Sequence, residues 1–474
     1  MTNPFALGYT SLDEEIQLDN VPIEGSIPRW LAGSLLRNGP AKFEVGSEQV
    51  WHWFDGLAML HRFTFRDGSV SYANRFVRSE AYRTAMQEGS VSYALFAVDP
   101  CKALFKHAMS EMMNPNVSIQ RVAGEFLAMT EAPLPIAFDP RTLETLGIVH
   151  YEDSLTGHYG SAHPHYDAAG KRTISYLTEF GMQSMVQVFG ITDDDGRYRR
   201  LIGAYPTSEP SYIHSFSITE HFIVLAEYPF RVAPIELLGG NKAFIQHFTW
   251  RPQEPTLFLV MAKRDGMIVG YYESEAFFSF HHINAFEHGG EIVLDLAAYP
   301  DTTIIEQTNL PSLRKGREPG KQPAQSEFRR YRLPLSISSA IATYERITDA
   351  EIEMPTINYA HYNARRYGIA YGIGTAREGA ALLAHRLVRV DIERNEVQIW
   401  AQDGCYPGEP VFVQAPRAQA EDDGVVLSVV LNAQKGNSFL LVLDAHTLEE
   451  IGRAEVPHHI PLGLHGQFFP TQDG

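Results

Sequence analysis

The sequence is poor in cysteine, in positive charge and in long apolar runs. Its 474 residues include two cysteines, Cys101 and Cys405. Two thiols cannot build a disulfide framework, a zinc site of four cysteines or a cysteine-ligated iron–sulfur cluster. Lys and Arg number 39 against 57 Asp and Glu, a net charge of −18. No basic stripe is present, which argues against a nucleic-acid partner, because phosphate binding rests on clustered Lys and Arg. The same balance weakens electrostatic attraction to anionic lipid. No apolar run approaches the roughly 18 residues of a membrane-spanning helix. The longest, such as GVVLSVVL from Gly424 to Leu431, have the length of a strand. The start, MTNPFALGYTSLDEE, has neither the basic opening nor the apolar core of a signal peptide. A reducing cytoplasm is the expected location, and any metal must be held mostly by histidine.

What the chain does have is a repeated pattern of short alternating strands broken by turn residues. HRFTFRDGSVSYANRF from His61, VFGITDDDGRYRRLIGAY from Val188 and ALLAHRLVRVDIERNEVQIWAQ from Ala381 each read as two strands around an Asp, Gly or Asn turn. FDPRTLETLG from Phe138 is echoed by LDAHTLEEIG from Leu443. An Asp that opens a type I turn can accept from the backbone two residues on. The echo therefore suggests a repeated hairpin, with His446 in a turn. Many antiparallel hairpins and few helices suit a β-propeller, with a pair of β-sandwiches as the competing architecture. No linker divides the chain, so residues 1–474 are expected to form a single domain. The polar stretch LRKGREPGKQPAQS (Leu313–Ser326) reads as a surface loop.

One segment departs from the pattern. In CKALFKHAMSEMMNP, from Cys101, the residues Leu104, Phe105, Ala108, Met109, Met112 and Met113 recur at helical spacing. Asp99 and Pro100 suit a helix start, and Asn114-Pro115 suits a stop. An apolar helical insertion is expected at about 100–114. It either packs on the core or touches a membrane surface and gathers an apolar substrate.

Histidine is abundant, at 19, yet no HExxH is present. Four settings look alike: SAHPH with His163 and His165, YIHSF with His214, FHHIN with His281 and His282, and LHG with His465. A lone histidine in a strand is most often a satisfied core residue. The strand that lines the axis of each propeller blade could instead bring one histidine per blade to a single point, which raises a metal hypothesis that spacing alone does not establish.

In order along the chain stand GSLLRNGP (from Gly33), HWFDGLAMLHRF (from His52), SAHPHYD (from Ser161), SYIHSFSIT (from Ser211), FHHINAFE (from Phe280), YPGEPVFV (from Tyr406), EDDGVVLSVV (from Glu421) and LHGQF (from Leu464). Together they resemble the carotenoid cleavage oxygenases, from about Ile27 to Phe469. The resemblance implies an all-β, seven-bladed propeller with a helical and loop cap over an axial iron site. It implies one Fe2+ per chain on His163, His214, His281 and His465, with His165 and His282 as neighbouring alternatives. It further implies that Glu131, Glu353 and Glu409 hold ligand imidazoles through their other ring nitrogen, which fixes the tautomer. On the residues alone, each could be a surface carboxylate. Thr130 matches a position that faces substrate. Pro115, in Asn114-Pro115-Asn116-Val117, departs from a threonine that many members carry beside an open coordination position.

The implied activity is that of a dioxygenase using O2 as co-substrate. It would cleave one double bond of a carotenoid or apocarotenoid to aldehydes, with retinal among the candidate products. A tunnel would position the polyene, and aromatic residues suit its wall. Phe54, Phe96, Tyr272 and Phe278 are candidates. The segment with Leu104, Phe105, Met109, Met112 and Met113 falls where members carry a membrane-facing patch. Peripheral membrane contact is therefore expected, with no obligate protein partner. Three other readings compete. A stilbene-cleaving member would place a lysine where Thr130 stands. A retinoid isomerase would use the same iron without O2. A catalytically silent propeller would not need the full histidine and glutamate set.

Overall fold

Alternation and turn chemistry write the hairpins. Strands Leu57–Arg66 and Ser69–Phe76 pair across Asp67-Gly68, whose φ values of 51° and 81° match the twist of tight hairpins. The other two expected hairpins are also present, Ser184–Thr192 with Asp195–Thr207 and Arg386–Asp391 with Glu396–Trp400. The echoed motifs form the same turn. Asp139 Oδ1 accepts from the backbone of Arg141 and Thr142 at 2.7 and 3.0 Å. Asp444 Oδ1 accepts from His446 and Thr447 at 3.0 and 2.9 Å. Each turn ends on a leucine in the left-handed region, Leu143 (φ 59°) and Leu448 (φ 56°), and both side chains are buried. Burying the apolar side chain offsets part of the backbone cost.

The computed structural model describes residues 3–91, 96, 113–238, 242–317, 322–375 and 385–471. Their strands form a seven-bladed β-propeller. In chain order the inner strands of blades II to VI are Ser118–Val122, Tyr159–Gly160 with His165–Asp167, Ser217–Ile218, His282–His288 and Glu353–Thr356. Blade VII starts with Cys405–Pro407 and Val411–Gln414. Both ends of the chain close the ring. Gly466–Pro470 pairs with Gly33–Lys42 as the inner strand of blade I, and Ile23–Gly25 pairs with Glu450–Val456 at the outer edge of blade VII. Middle strands are covered on both faces by neighbouring blades, which explains why Gly424–Asn432 is a continuous apolar run.

Two expectations need revision. The supposed surface loop begins as the end of a helix, Leu310–Lys315. Asn309 Oδ1 caps its start by accepting from Ser312 N at 2.8 Å, and Leu313 is buried in the core. The expected helix at 100–114, with Leu104, Phe105, Met109 and Met112, lies outside the described residues except for Met113 and Asn114, which are irregular. Among the described residues, no helix is long and apolar enough to cross a membrane.

Candidate metal centre

The strands that line the axis deliver the histidines. His163 lies in the break of blade III's inner strand, and His214, His281 and His465 lie just ahead of the inner strands of blades IV, V and I. One ring nitrogen from each lies within 4.8 Å of the others. His163 Nε2 is 2.9 Å from His214 Nε2, and His281 Nε2 is 3.2 Å from His465 Nε2. Carboxylates take the opposite nitrogen of three rings. Glu131 accepts from His214 Nδ1 and Glu409 from His465 Nδ1, each at 2.6 Å, and Glu353 accepts from His281 Nδ1. These contacts put the proton on Nδ1 and the lone pair on Nε2.

This arrangement fits a metal ion. His163 can share a proton with His214. His281 and His465 cannot share one while both rings carry their single proton on Nδ1, because both then turn lone pairs toward each other. A cation placed between them converts that repulsion into two bonds. The charges point the same way. Three carboxylates surround the cluster, and among the described residues Arg37 is the one cation paired with them, through Glu409 Oε2 at 2.5 Å. Three negative charges and one positive charge leave two to be compensated, which matches a divalent ion. Imidazole donors suit iron, zinc and copper alike.

Burial controls the protonation of these groups. It drives His163 far below the usual imidazole range, helped by the neighbouring rings. Burial also lowers His214, and it brings His465 down to about 4 against the opposing pull of Glu409. For Glu353, burial acts to raise the carboxyl, but His281, Tyr299 and the Met354 backbone together outweigh it; for Glu409, His465, Arg37 and the Gly466 backbone do the same. Both carboxyls are held below their ordinary range.

The alternatives to two ligands are otherwise engaged. His165 contacts Tyr359 Oη and Phe216 O, both at 2.8 Å. His282 contacts Ser217 Oγ at 2.8 Å and Tyr228 Oη at 3.1 Å. A cavity of about 950 Å³ reaches His214, His281 and His465 from the surface. Thr130, Phe54 and Phe96 line it. Met113 also lines it and is buried, so this residue belongs to the cavity wall and not to an outer membrane patch. Tyr272 and Phe278 are not wall residues. Tyr272 is buried and donates to Pro334 O and Ile337 O at 2.8 and 3.0 Å, and Phe278 packs behind Phe280. Asn114, Asn116 and Val117 face the cavity, whereas Pro115 is turned away and its carbonyl accepts from Asn38 Nδ2 at 2.6 Å.

Sequence reasoning did not single out four residues that build the site. Arg37 orders Glu409 and also donates to Leu464 O at 2.8 Å. Tyr212 donates to both oxygens of Glu131 at 2.9 and 3.0 Å, and Tyr159 reaches Oε1 at 3.1 Å. Phe280 stands edge-on to His214, with centroids 5.3 Å apart. Arg37, Tyr212 and Phe280 all lie inside quoted motifs, but nothing local gives their partners.

The family model described as retinal pigment epithelial membrane protein matches residues 9–470. This chain belongs to the carotenoid oxygenase family. Among relatives of the oxygenase, a mitochondrial carotenoid-cleaving dioxygenase of Mustela putorius furo is 34% identical, spanning 97% of this chain and 95% of that one. A beta,beta-carotene 15,15'-dioxygenase of Homo sapiens is 30% identical over 97% and 94%. A carotenoid isomerooxygenase of Galleria mellonella is 33% identical over 95% and 93%. Among solved structures, a cobalt-substituted Synechocystis ACO superposes with a TM-score of 0.86 at 25% identity, covering 99% of this chain and 98% of that one.

Proposed function

We propose that this carotenoid cleavage dioxygenase holds one Fe2+ on His163, His214, His281 and His465 and uses O2 to split one C=C bond of a carotenoid or apocarotenoid. The observation that carries this reading is a four-histidine cluster at the wall of a largely apolar, aromatic-lined cavity. The double bond breaks completely and each of its carbons takes one oxygen atom, so R–CH=CH–R′ and O2 become two aldehydes. Retinal is among the candidate products. When bound, iron(II) supplies the one-electron chemistry that lets O2 react with a closed-shell polyene.

The protein's own residues do the rest. Glu131, Glu353 and Glu409 hold three rings in the ligating tautomer. Phe54, Phe96 and Phe280 form an edge-to-face group beside the histidines, with Phe54 5.2 Å from Phe96 and 6.0 Å from Phe280. These rings offer a polyene polarisable apolar contact and keep its chain in place. Thr130 lines the same wall next to Glu131 and brings no lysine for a stilbene phenol.

The cavity mouth supports peripheral membrane contact. Met182 and Ile235 line it and are exposed, Ile235 by 72%. Phe96 and Met113, which flank residues 97–112, also line the cavity. A lipid-soluble substrate can pass from a bilayer into such an opening. Polar substitutions at Leu104, Phe105 and Met109 should reduce liposome association, and unchanged binding would assign that segment to the core.

The test of function is incubation of iron-loaded protein with β-carotene, apocarotenals of several lengths and a hydroxystilbene, with and without O2, followed by product masses. Shortened aldehydes are expected from a carotenoid or apocarotenal only when O2 is present. Product formed without O2 would favour isomerisation, and cleavage of the stilbene alone would overturn the substrate assignment.

A further inference from the structure

The cavity lies in two cores. Its mouth side, with Tyr159, Phe180 and Phe244, belongs to the aromatic core of blades III to V. Its far side, with Tyr9, Trp53, Met354, Ile373 and Leu462, belongs to the core shared with blades VI and VII. Phe54 packs on both and marks the divide. Every one of those five far-side residues is buried, so this arm is a closed end.

The closed end is built rigidly. Tyr9 finishes the short helical turn Pro4–Tyr9. Its carbonyl accepts from Arg314 Nε and Nη2 at 3.0 and 2.8 Å, and Gly8 O accepts from Leu462 N at 2.8 Å. A Cβ on Gly8 would meet Leu462 Cγ at 2.9 Å, so the turn lies flush against its neighbour. Leu462 is three residues from His465, a reach of roughly 10 Å when extended. Leu462 therefore keeps this arm beside the histidine cluster.

One polar group in this arm lacks a partner. The indole N–H of Trp53 is spent on Leu462 O at 2.9 Å. The Tyr9 hydroxyl makes no hydrogen bond among the described residues, although Tyr9 is only 2% exposed. The hydroxyl lacks a protein partner and opens on the cavity, so a ligand oxygen can accept from it, whereas a ligand that covers it without an oxygen leaves it unpaired, which is costly. Burial, together with nearby Tyr406, pushes the phenol well up, so it remains a donor.

We propose that Tyr9 anchors an oxygen at the leading end of the substrate. An apocarotenoid enters aldehyde or alcohol first, the Tyr9 hydroxyl donates to that oxygen, and the fixed distance from Tyr9 to the histidines helps select the bond that is cut. This rests on the polyene reading of the cavity and adds a preference for oxygen-terminated chains. Such a contact discriminates more sharply than apolar fit, because the analogue without oxygen leaves the donor unpaired.

The experiment is an anaerobic titration of the metal-loaded full chain, read by quenching of tryptophan emission. Trp53 is a suitable reporter because its ring is 5.8 Å from that of Tyr9. The probes are an apocarotenal and a hydrocarbon polyene of equal length. Wild type should bind the apocarotenal about tenfold more tightly, and Y9F should erase that preference without weakening hydrocarbon binding. Retained hydrocarbon binding also shows that the variant is folded. A preference that survives Y9F, or an equal loss for both probes, would overturn the anchor. Saturable quenching by neither probe in wild type would overturn the polyene reading and the anchor with it.

Discussion

Buried charge is treated differently between the blades and on the axis. Lys263 of blade IV meets Asp167 of blade III at 3.1 Å, and Arg389 of blade VI meets Asp422 of blade VII. In blade V, Arg330 meets Asp295 at 2.7 Å, and Tyr367 of blade VI donates to the same carboxylate at 2.6 Å. Each of these carboxylates has a fixed cation, so folding alone completes the group. On the axis, three carboxylates face imidazoles, and one guanidinium pairs with Glu409 alone. There, folding leaves a negative surplus and a set of converging ring nitrogens, an arrangement that a bound cation would complete. The interfaces serve stability, and the axis spends stability on a site.

Substitutions can separate the two regions. The largest effect is expected for His214→Ala or His465→Ala, which should abolish metal retention and oxidative cleavage together. His446→Ala should leave both intact, because His446 lies in a turn and contacts Asp422 instead. Metal analysis after gel filtration reads this directly. Arg330→Met should do the reverse. Stranding the buried Asp295 should cost about 3–5 kcal/mol of stability, while metal content in the folded fraction stays unchanged. Urea denaturation with parallel metal analysis measures both. Glu409→Gln keeps the shape at the axis but removes a charge. Metal affinity should fall roughly 10–100-fold in a chelator competition on the folded fraction, with some loss of stability because Arg37 loses its counter-charge.

A smaller effect concerns pH. Burial holds His52 down at about 4 and His61 down at about 3, against an ordinary value of about 6.5. Below about 6.5 the unfolded chain takes up protons that the folded chain excludes until pH falls to these lower values. Stability should therefore be greatest above pH 6.5 and decline as pH falls toward 4, by up to about 1.4 kcal/mol per group per pH unit. The urea midpoint at pH 5 should lie below that at pH 7, and equal midpoints would contradict the assignment of neutral, buried rings.

Much of this was legible in the sequence because it is local or carried by motifs. Asp67-Gly68 announces its hairpin, and the Thr-Leu-Glu echo marks the same turn in blades II and VII. The histidine and glutamate settings could be read from motif context, and the structure brings them to one point. Cross-chain partners could not be read in that way. Arg37 meets Glu409, and Tyr212 meets Glu131, only after the ring closes. The wall was harder still. Phe278 and Phe280 sit two residues apart in one aromatic run, yet only Phe280 faces the cavity, because the adjoining blade covers Phe278. Met113 fits an apolar helical stripe, but burial against the cavity decides its place.

The central claim is that the axis holds one ferrous ion which the histidine cluster requires and the interfaces do not. The most direct measurement is the metal content of active wild-type protein, read alongside its cleavage rate. One iron per chain is expected, with activity rising in proportion to iron loading. Full cleavage activity in protein that contains zinc and no iron would contradict it.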